Sequence, residues 1–423
     1  MSYSDNLVGI DLEVASTCNA NCPVCIRRSY GNINDFSQQM RTLSEVKIML
    51  KDVAHKLTTL NLCGNYGDPM TCAEILPICE WIKEQSPKVS IHIATNGGIG
   101  KPEHYRRLGE IGARITFGVD GCSTEINGLH RVNVDFEKVK RNMIEYTQGC
   151  GPTNYCGEWQ YLLFNENVHE LKDAVKLAKE LGITRFYIRR PNGFGSKNYI
   201  PVFSFTGEFT HWLTPVQKEW ETFLDKQFNL HDITEYKKLL NSLETMDHHK
   251  NDLLKLGDIL DDHGNVLNPK NMIPNSIDPI PYPQHKNYTV KLSEVETDFL
   301  NSLDYQTCRA YNLSDSKDFS EENLYVFISY DNYLYPCCMV GSSVSRAKQR
   351  DYTGAPHIND LLNSMADIDY EELSVKNKSL KDVLETGVLH KTFFNGILEG
   401  NTNLFCKLTC GRCETKRSQH QVV

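Results

Sequence analysis

The chain has 423 residues, 40% apolar and 23% charged, which is ordinary globular usage and enough length for two domains or one large one. Asp and Glu outnumber Lys and Arg by 54 to 45, a formal net charge of −9, so general binding to nucleic acid through its phosphates is excluded, although a local basic patch is not. No apolar run approaches the ~20 residues that span a bilayer, and the opening MSYSDNLVGIDLEV lacks the basic start and apolar block of an export signal. A cytoplasmic protein with no membrane partner is expected.

In chain order, Ile10, Leu12 and Val14 alternate with Asp11 and Glu13, the period of a strand. Residues 42–57 read as a helix with Val46, Met49, Leu50 and Val53 on one side. A strand at 58–63, a helix near 73–85 and a strand at 89–95 follow, with further strands expected at 114–119, 159–164 and 185–190. Between the last two, Leu171, Val175, Ala178 and Leu181 recur at helical spacing, and Gly182 is a natural stop. Strands alternating with helices in this way imply a parallel sheet with right-handed crossovers. The expected fold is therefore α/β, a partial (β/α)6 barrel over residues 1–200, with its chemistry at the C-terminal ends of the strands.

From about 201 to 300 the rhythm breaks. Helical segments are expected at 216–228 and 233–247, and Pro269, Pro274, Pro279, Pro281 and Pro283 then exclude regular helix or central strand. This stretch is read as a helical insertion or linker. Residues 301–423 are expected to form a small C-terminal α+β domain, opening with a strand at 324–330.

Fifteen cysteines are many for such a chain, and without an export signal metal ligation is a better reading than disulfides. Cys63, Cys72, Cys79, Cys122, Cys150 and Cys156 are scattered, as small buried side chains would be. Cys18, Cys22 and Cys25 instead crowd together just after the first strand. No fourth Cys or His is near enough to close a structural zinc site from the same loop. A 4Fe–4S cube held by three thiolates leaves one iron open for another ligand. A zinc site completed by a distant residue is the alternative.

This spacing resembles the signature of the radical S-adenosylmethionine superfamily, one difference being Val24 where the family often has an aromatic residue before the third cysteine. The later motifs point the same way. Leu60 to Pro69, reading LNLCGNYGDP, resembles the family's glycine-rich motif, Ala94 to Gly97 its Thr-Asn-Gly, and Phe117 to Gly121 its Ser-Ile-Asp-Gly. Arg131 matches a position where the family often places an arginine on the cofactor's carboxylate. The resemblance implies that Cys18, Cys22 and Cys25 ligate the catalytic cluster. It makes Gly64, Tyr66, Gly67, Asp68, Thr95, Asn96, Gly118, Asp120 and Arg131 the residues that bind S-adenosylmethionine. It also implies a flavodoxin- or ferredoxin-like electron donor.

The remaining cysteines form a second group: Cys308, Cys337, Cys338, Cys406, Cys410 and Cys413. The pattern resembles a Twitch or SPASM auxiliary domain, with Asn332 where a glycine is usual. It implies a second iron–sulfur cluster, of 4Fe–4S type, on Cys308, Cys337, Cys410 and Cys413, and structural zinc is the alternative. Relatives with this domain commonly modify peptides or proteins, so a peptide or protein substrate is expected. A small molecule such as a sugar, amino acid or nucleoside is the second reading. An iron–sulfur electron carrier is the third, and the glycine-rich motif and Asp120 speak against it, because a carrier needs no cofactor pocket.

Overall fold

The computed structural model describes residues 4–25, 27, 39–62, 64–151, 155–191, 194, 199–204, 206–246, 305–306, 324–337, 340–341, 344, 365, 369–389 and 411–412. Its centre is a mixed sheet. Strands β1 (Leu7–Leu12), β2 (Thr59–Leu62), β3 (Ser90–Thr95), β4 (Arg114–Gly118), β5 (Glu158–Leu162) and β6 (Arg185–Arg189) lie side by side in sequence order. All are parallel to their neighbours. Strands β2 to β6 set apolar, buried positions alternately with half-buried or exposed ones, so one face takes the helices. Leu60, Ile91, Ile115, Trp159 and Phe186 pack there against Ile78, Leu108, Val139, Met143 and Val175. The other face carries Asn61, His92, Thr116, Gln160 and Tyr187, all half-buried. The fold is α/β with an open, mostly parallel sheet, a partial barrel as expected.

Helices α1 (Leu43–Leu50), α2 (Ile75–Gln85), α3 (Pro102–Glu110), α4 (Thr124–His130), α5 (Phe136–Cys150) and α6 (Leu171–Glu180) fill the crossovers. Their starts are written in the sequence. Thr42 and Glu45 form a reciprocal capping box on α1, and Asp135 caps α5. The helix expected over 42–57 divides into α1 and a 3-10 turn, Ala54–Lys56.

Beyond 190 the structure departs from the sequence reading. Strands β7 (Ile200–Phe203) and β8 (Phe209–Leu213) form a separate antiparallel hairpin. The helix expected at 216–228 is instead a 3-10 turn, Lys218–Phe223, followed by β9 (Lys226–Asn229), which pairs antiparallel with β6. The spacing explains the change: Trp220 and Phe223 are three apart and both buried, a 3-10 repeat. Asp225 then turns the chain with φ 60°. The helix expected at 233–247 is present as α7 (Ile233–Glu244).

A short strand β10 (Tyr305–Gln306) follows in the chain. Then β11 (Leu324–Ile328) pairs parallel with β1, and β12 (Leu334–Tyr335) pairs antiparallel with β11. The sheet order is thus β12-β11-β1-β2-β3-β4-β5-β6-β9. The strand expected at 324–330 therefore exists, and it extends the sheet at the β1 edge. The remainder of the expected C-terminal domain falls mostly outside the described residues. No helix among the described residues is long and apolar enough to cross a membrane.

Candidate functional site

The site forms where β1, β2, β3 and β4 end. Cys18, Cys22 and Cys25 lie on the loop after β1, half-buried, buried and half-buried. Within it Cys25 N donates to Cys22 O at 3.2 Å, and Ala20 N donates to Cys18 Sγ at 3.4 Å. Burial pushes the Cys18 thiol up to about 12, with Asp68 adding to the rise and Arg27 opposing it. Burial likewise raises Cys22, and Arg131 opposes. Arg27, itself buried, faces all three sulfurs and is pinned by its 2.8 Å bond to Ala20 O. Thiolates so far from water persist only beside cations or as metal ligands.

Among the described residues, no three His, Cys, Asp or Glu side chains converge tightly enough to hold a single ion. A cluster that gives each thiolate its own iron does not require such convergence. The donor set, three thiols with two guanidiniums around them, fits a cluster.

The glycine-rich loop packs directly on this cysteine loop. Asp68 N donates to Thr17 O at 2.7 Å, and a Cβ on Gly67 would stand 2.3 Å from Ala15 O, so only glycine fits. Asp68 is buried and engaged. Its oxygens accept from Thr95 Oγ1 at 2.8 and 2.9 Å, Asn96 N at 2.8 Å and Met70 N at 3.0 Å. Burial raises its pKa and these bonds oppose the rise. Asn96 Nδ2 in turn donates to Asn19 Oδ1 at 2.8 Å and approaches Cys18 Sγ at 3.5 Å. Asp68, Thr95, Asn96 and Cys18 thus form one connected patch. Gly64 shapes the same turn, since a Cβ there would lie 2.6 Å from Gly67 O. The Tyr66 ring is fully buried, 5.0 Å from that of Tyr330, so it is the backbone of Tyr66 that belongs to the loop.

A second group sits at the end of β4. Asp120 has no exposed surface; Leu162 N donates to its Oδ1 at 2.8 Å, and Arg131 Nε and His130 Nδ1 reach its Oδ2 at 2.7 Å. Burial pushes its carboxyl up, but Arg131 and His130 outweigh this and hold it below the usual range. Arg131 Nη2 lies 2.9 Å from where a Cβ on Gly118 would be, so glycine makes room for the guanidinium, which also faces Cys22. Asp120 therefore works through Arg131, whose guanidinium it braces.

Arg131→Ala is expected to destabilise the protein by roughly 3–5 kcal/mol, because it takes the guanidinium away from a fully buried carboxylate. Urea unfolding reads the loss, and adding Asp120→Asn should recover part of it. The pH sign follows from the depressed carboxyl. Its stabilisation is present above the unfolded value near ~3.9 and is lost as pH falls through the folded value. Acid unfolding of wild type should therefore be steeper than that of Asp120→Asn.

Of the expected site residues, the structure joins Cys18, Cys22, Gly64, Gly67, Asp68, Thr95, Asn96, Gly118, Asp120 and Arg131 through the contacts above. Arg27 and Glu13, which the sequence reading did not select, belong with them. In the C-terminal group, Cys337 is half-buried just after β12, while Cys308, Cys338, Cys406, Cys410 and Cys413 lie outside the described residues. A two-residue antiparallel ladder pairs Tyr305 with Arg412 and Gln306 with Gly411.

Residues 12–178 match the family model described as the Radical SAM superfamily. No curated protein matches the sequence. Similar solved structures include Streptococcus suis SuiB bound to S-adenosylmethionine, 11% identical over 79% of this chain and 60% of that one, at a TM-score of 0.43. SuiB bound to the precursor peptide SuiA is 12% identical over 89% and 70%, at 0.42. The native anSMEcpe structure with bound AdoMet and Kp18Cys peptide is 14% identical over 98% and 91%, at 0.44. The chain thus spans about 60% of the length of SuiB in its S-adenosylmethionine complex.

Proposed function

With residues 12–178 a radical S-adenosylmethionine domain, we propose that the chain is an enzyme that cleaves S-adenosylmethionine reductively and abstracts a hydrogen atom from a peptide or protein. The carrying observation is the contact patch in which Cys18, Asp68, Thr95 and Asn96 meet, with Arg27 on the cysteine loop and Arg131 facing it at Cys22. Cys18, Cys22 and Cys25 would hold the catalytic cluster, which supplies the electron that splits the sulfonium into methionine and a 5′-deoxyadenosyl radical. The protein does the rest. Arg131, braced by Asp120, offers a fork to the cofactor's carboxylate. The Asp68–Thr95–Asn96 patch offers oxygens to its ammonium, and Gly67 lets the backbone close in. Holding the cofactor beside the substrate is what directs the radical to one hydrogen.

The auxiliary cluster on Cys308, Cys337, Cys410 and Cys413, a flavodoxin- or ferredoxin-like donor and a cytoplasmic location complete the proposal. The peptide reading rests on the C-terminal cysteine pattern. The test is anaerobic. Reconstituted full-length protein with dithionite and S-adenosylmethionine should form 5′-deoxyadenosine, and peptides encoded beside its gene should accelerate this. No 5′-deoxyadenosine at all would sink the enzyme reading; acceleration by a metabolite pool instead of peptides would replace the substrate class.

A further inference from the structure

We propose that Glu13 is a positioning residue that locks the glycine-rich cofactor loop to the β11–β12 turn, so that S-adenosylmethionine binding and the seating of residues 324–335 depend on each other. The inference rests on the reading of loop 64–68 as the cofactor site. Glu13 directly follows β1, and its backbone N donates to Ile328 O at 3.0 Å. Its side chain is 0% exposed, and burial raises its pKa well above the usual carboxylate range, opposed by the backbone N–H groups of Tyr330 and Tyr66. Oε1 accepts from Tyr66 N at 3.0 Å, inside the cofactor loop, and Oε2 accepts from Tyr330 N at 3.1 Å, 317 positions away in the turn. The Tyr66 and Tyr330 rings meet alongside, 5.0 Å apart.

Arg41 fastens the same joint from the other side. Its Nε donates to Glu13 O at 2.8 Å, and its two terminal nitrogens reach Ser329 O and Asn332 Oδ1, both at 2.5 Å. Asn332 holds φ 71°, which aims its side chain from the turn, and its own carbonyl accepts from Val375 N at 2.8 Å. A carboxylate suits this place because it has an acceptor on each oxygen. A glutamine has only one, so one of the two buried N–H groups would face an amide NH2. The cofactor loop and the turn cannot then both keep their present positions.

Two ligation events that share a joint influence each other reciprocally. If the turn braces the loop, then S-adenosylmethionine, by ordering the loop, must also brace the turn. Cys337 follows two residues after β12, so the coupling reaches a member of the second cysteine group.

The experiment uses full-length, anaerobically reconstituted protein with S-adenosylmethionine as the probe. Iron content, the dissociation constant by equilibrium dialysis, and amide hydrogen exchange of residues 324–335 with and without the cofactor are measured. Glu13→Gln is expected to keep wild-type iron content and to weaken binding about tenfold, the effect of one buried donor left unpaired. Asn332→Gly keeps the positive φ, removes the Arg41 acceptor and touches no cofactor residue; it should weaken binding in the same direction and stands in if Glu13→Gln does not fold. S-adenosylmethionine should slow exchange at 324–335 in wild type, and much less in either variant, a response that loss of general stability would not produce. Wild-type affinity in both variants, or exchange at 324–335 indifferent to the cofactor in wild type, overturns the inference alone. A wild-type protein that does not bind S-adenosylmethionine overturns the cofactor reading and this inference with it.

Discussion

Replacing Cys18, Cys22 and Cys25 together by alanine should abolish formation of 5′-deoxyadenosine, with no activity above the dithionite blank. The expected loss is complete, because each thiolate is the anchor of a different iron and a three-cysteine site has no redundancy. The structure sharpens the expectation. The loop that carries the three sulfurs is held from outside them, by Asp68 N on Thr17 O, Arg27 on Ala20 O and Asn21 N on Val132 O. The triple variant should therefore keep the loop and the sheet while losing the cluster. Far-ultraviolet circular dichroism and the urea midpoint serve as the control, since removing three small sulfurs from a loop costs little beside the burial of the main core. Iron should fall by about four per chain. Persistent cleavage with wild-type folding would show that these residues do not hold the catalytic centre.

The strand order of the barrel was legible because alternation is a local signal. Leu60 and Leu62, Ile91 and Ile93, and Ile115 and Phe117 each mark one face of a short strand, and all of them are buried. The cysteine loop was legible for the same reason, with three cysteines inside eight residues. What failed to show in the sequence depends on partners far along the chain. Alternation set Glu13 on the opposite side from the apolar Leu12 and Val14, yet it is as deeply buried as they are, because backbone donors from Tyr66 and Tyr330 satisfy it. Nothing local to Glu13 announces a donor at 330.

The edge strands were hidden in the same way. Lys226–Asn229 is short and polar, and only its register with β6 makes it a strand. Leu324–Ile328 reads as a strand from its residues, but its place beside β1 is set by pairing across more than three hundred positions. Asp120 illustrates a third limit. The motif located it at a strand end, whereas its function as the brace of Arg131 is visible only from the 2.7 Å contact and its complete burial. A sequence motif identifies which residues surround a ligand more readily than it identifies which of them touch it.

Replacing Cys308, Cys337, Cys410 and Cys413 together should lower iron from about eight to about four per chain while leaving the N-terminal cluster intact. Formation of 5′-deoxyadenosine should survive, because the residues proposed to hold the cofactor, Asp68, Thr95, Asn96 and Arg131, all lie between β2 and α5 and are untouched. Turnover of the true substrate should stop. An auxiliary cluster takes an electron from a substrate radical or helps to hold the substrate, and neither act is needed to generate the first radical. Of these four positions Cys337 lies among the described residues, just after β12. The metal of wild-type protein purified anaerobically without reconstitution decides the chemistry. Zinc at this site with only about four irons would make the segment a structural clip. A structural zinc would also predict that the quadruple variant loses folding stability in proportion to its metal, because the binding energy of such a site is folding energy. A redox-active cluster predicts the reverse separation, with folding largely kept and substrate oxidation gone. Unfolding and turnover measured on the same variant therefore separate a structural clip from an electron acceptor.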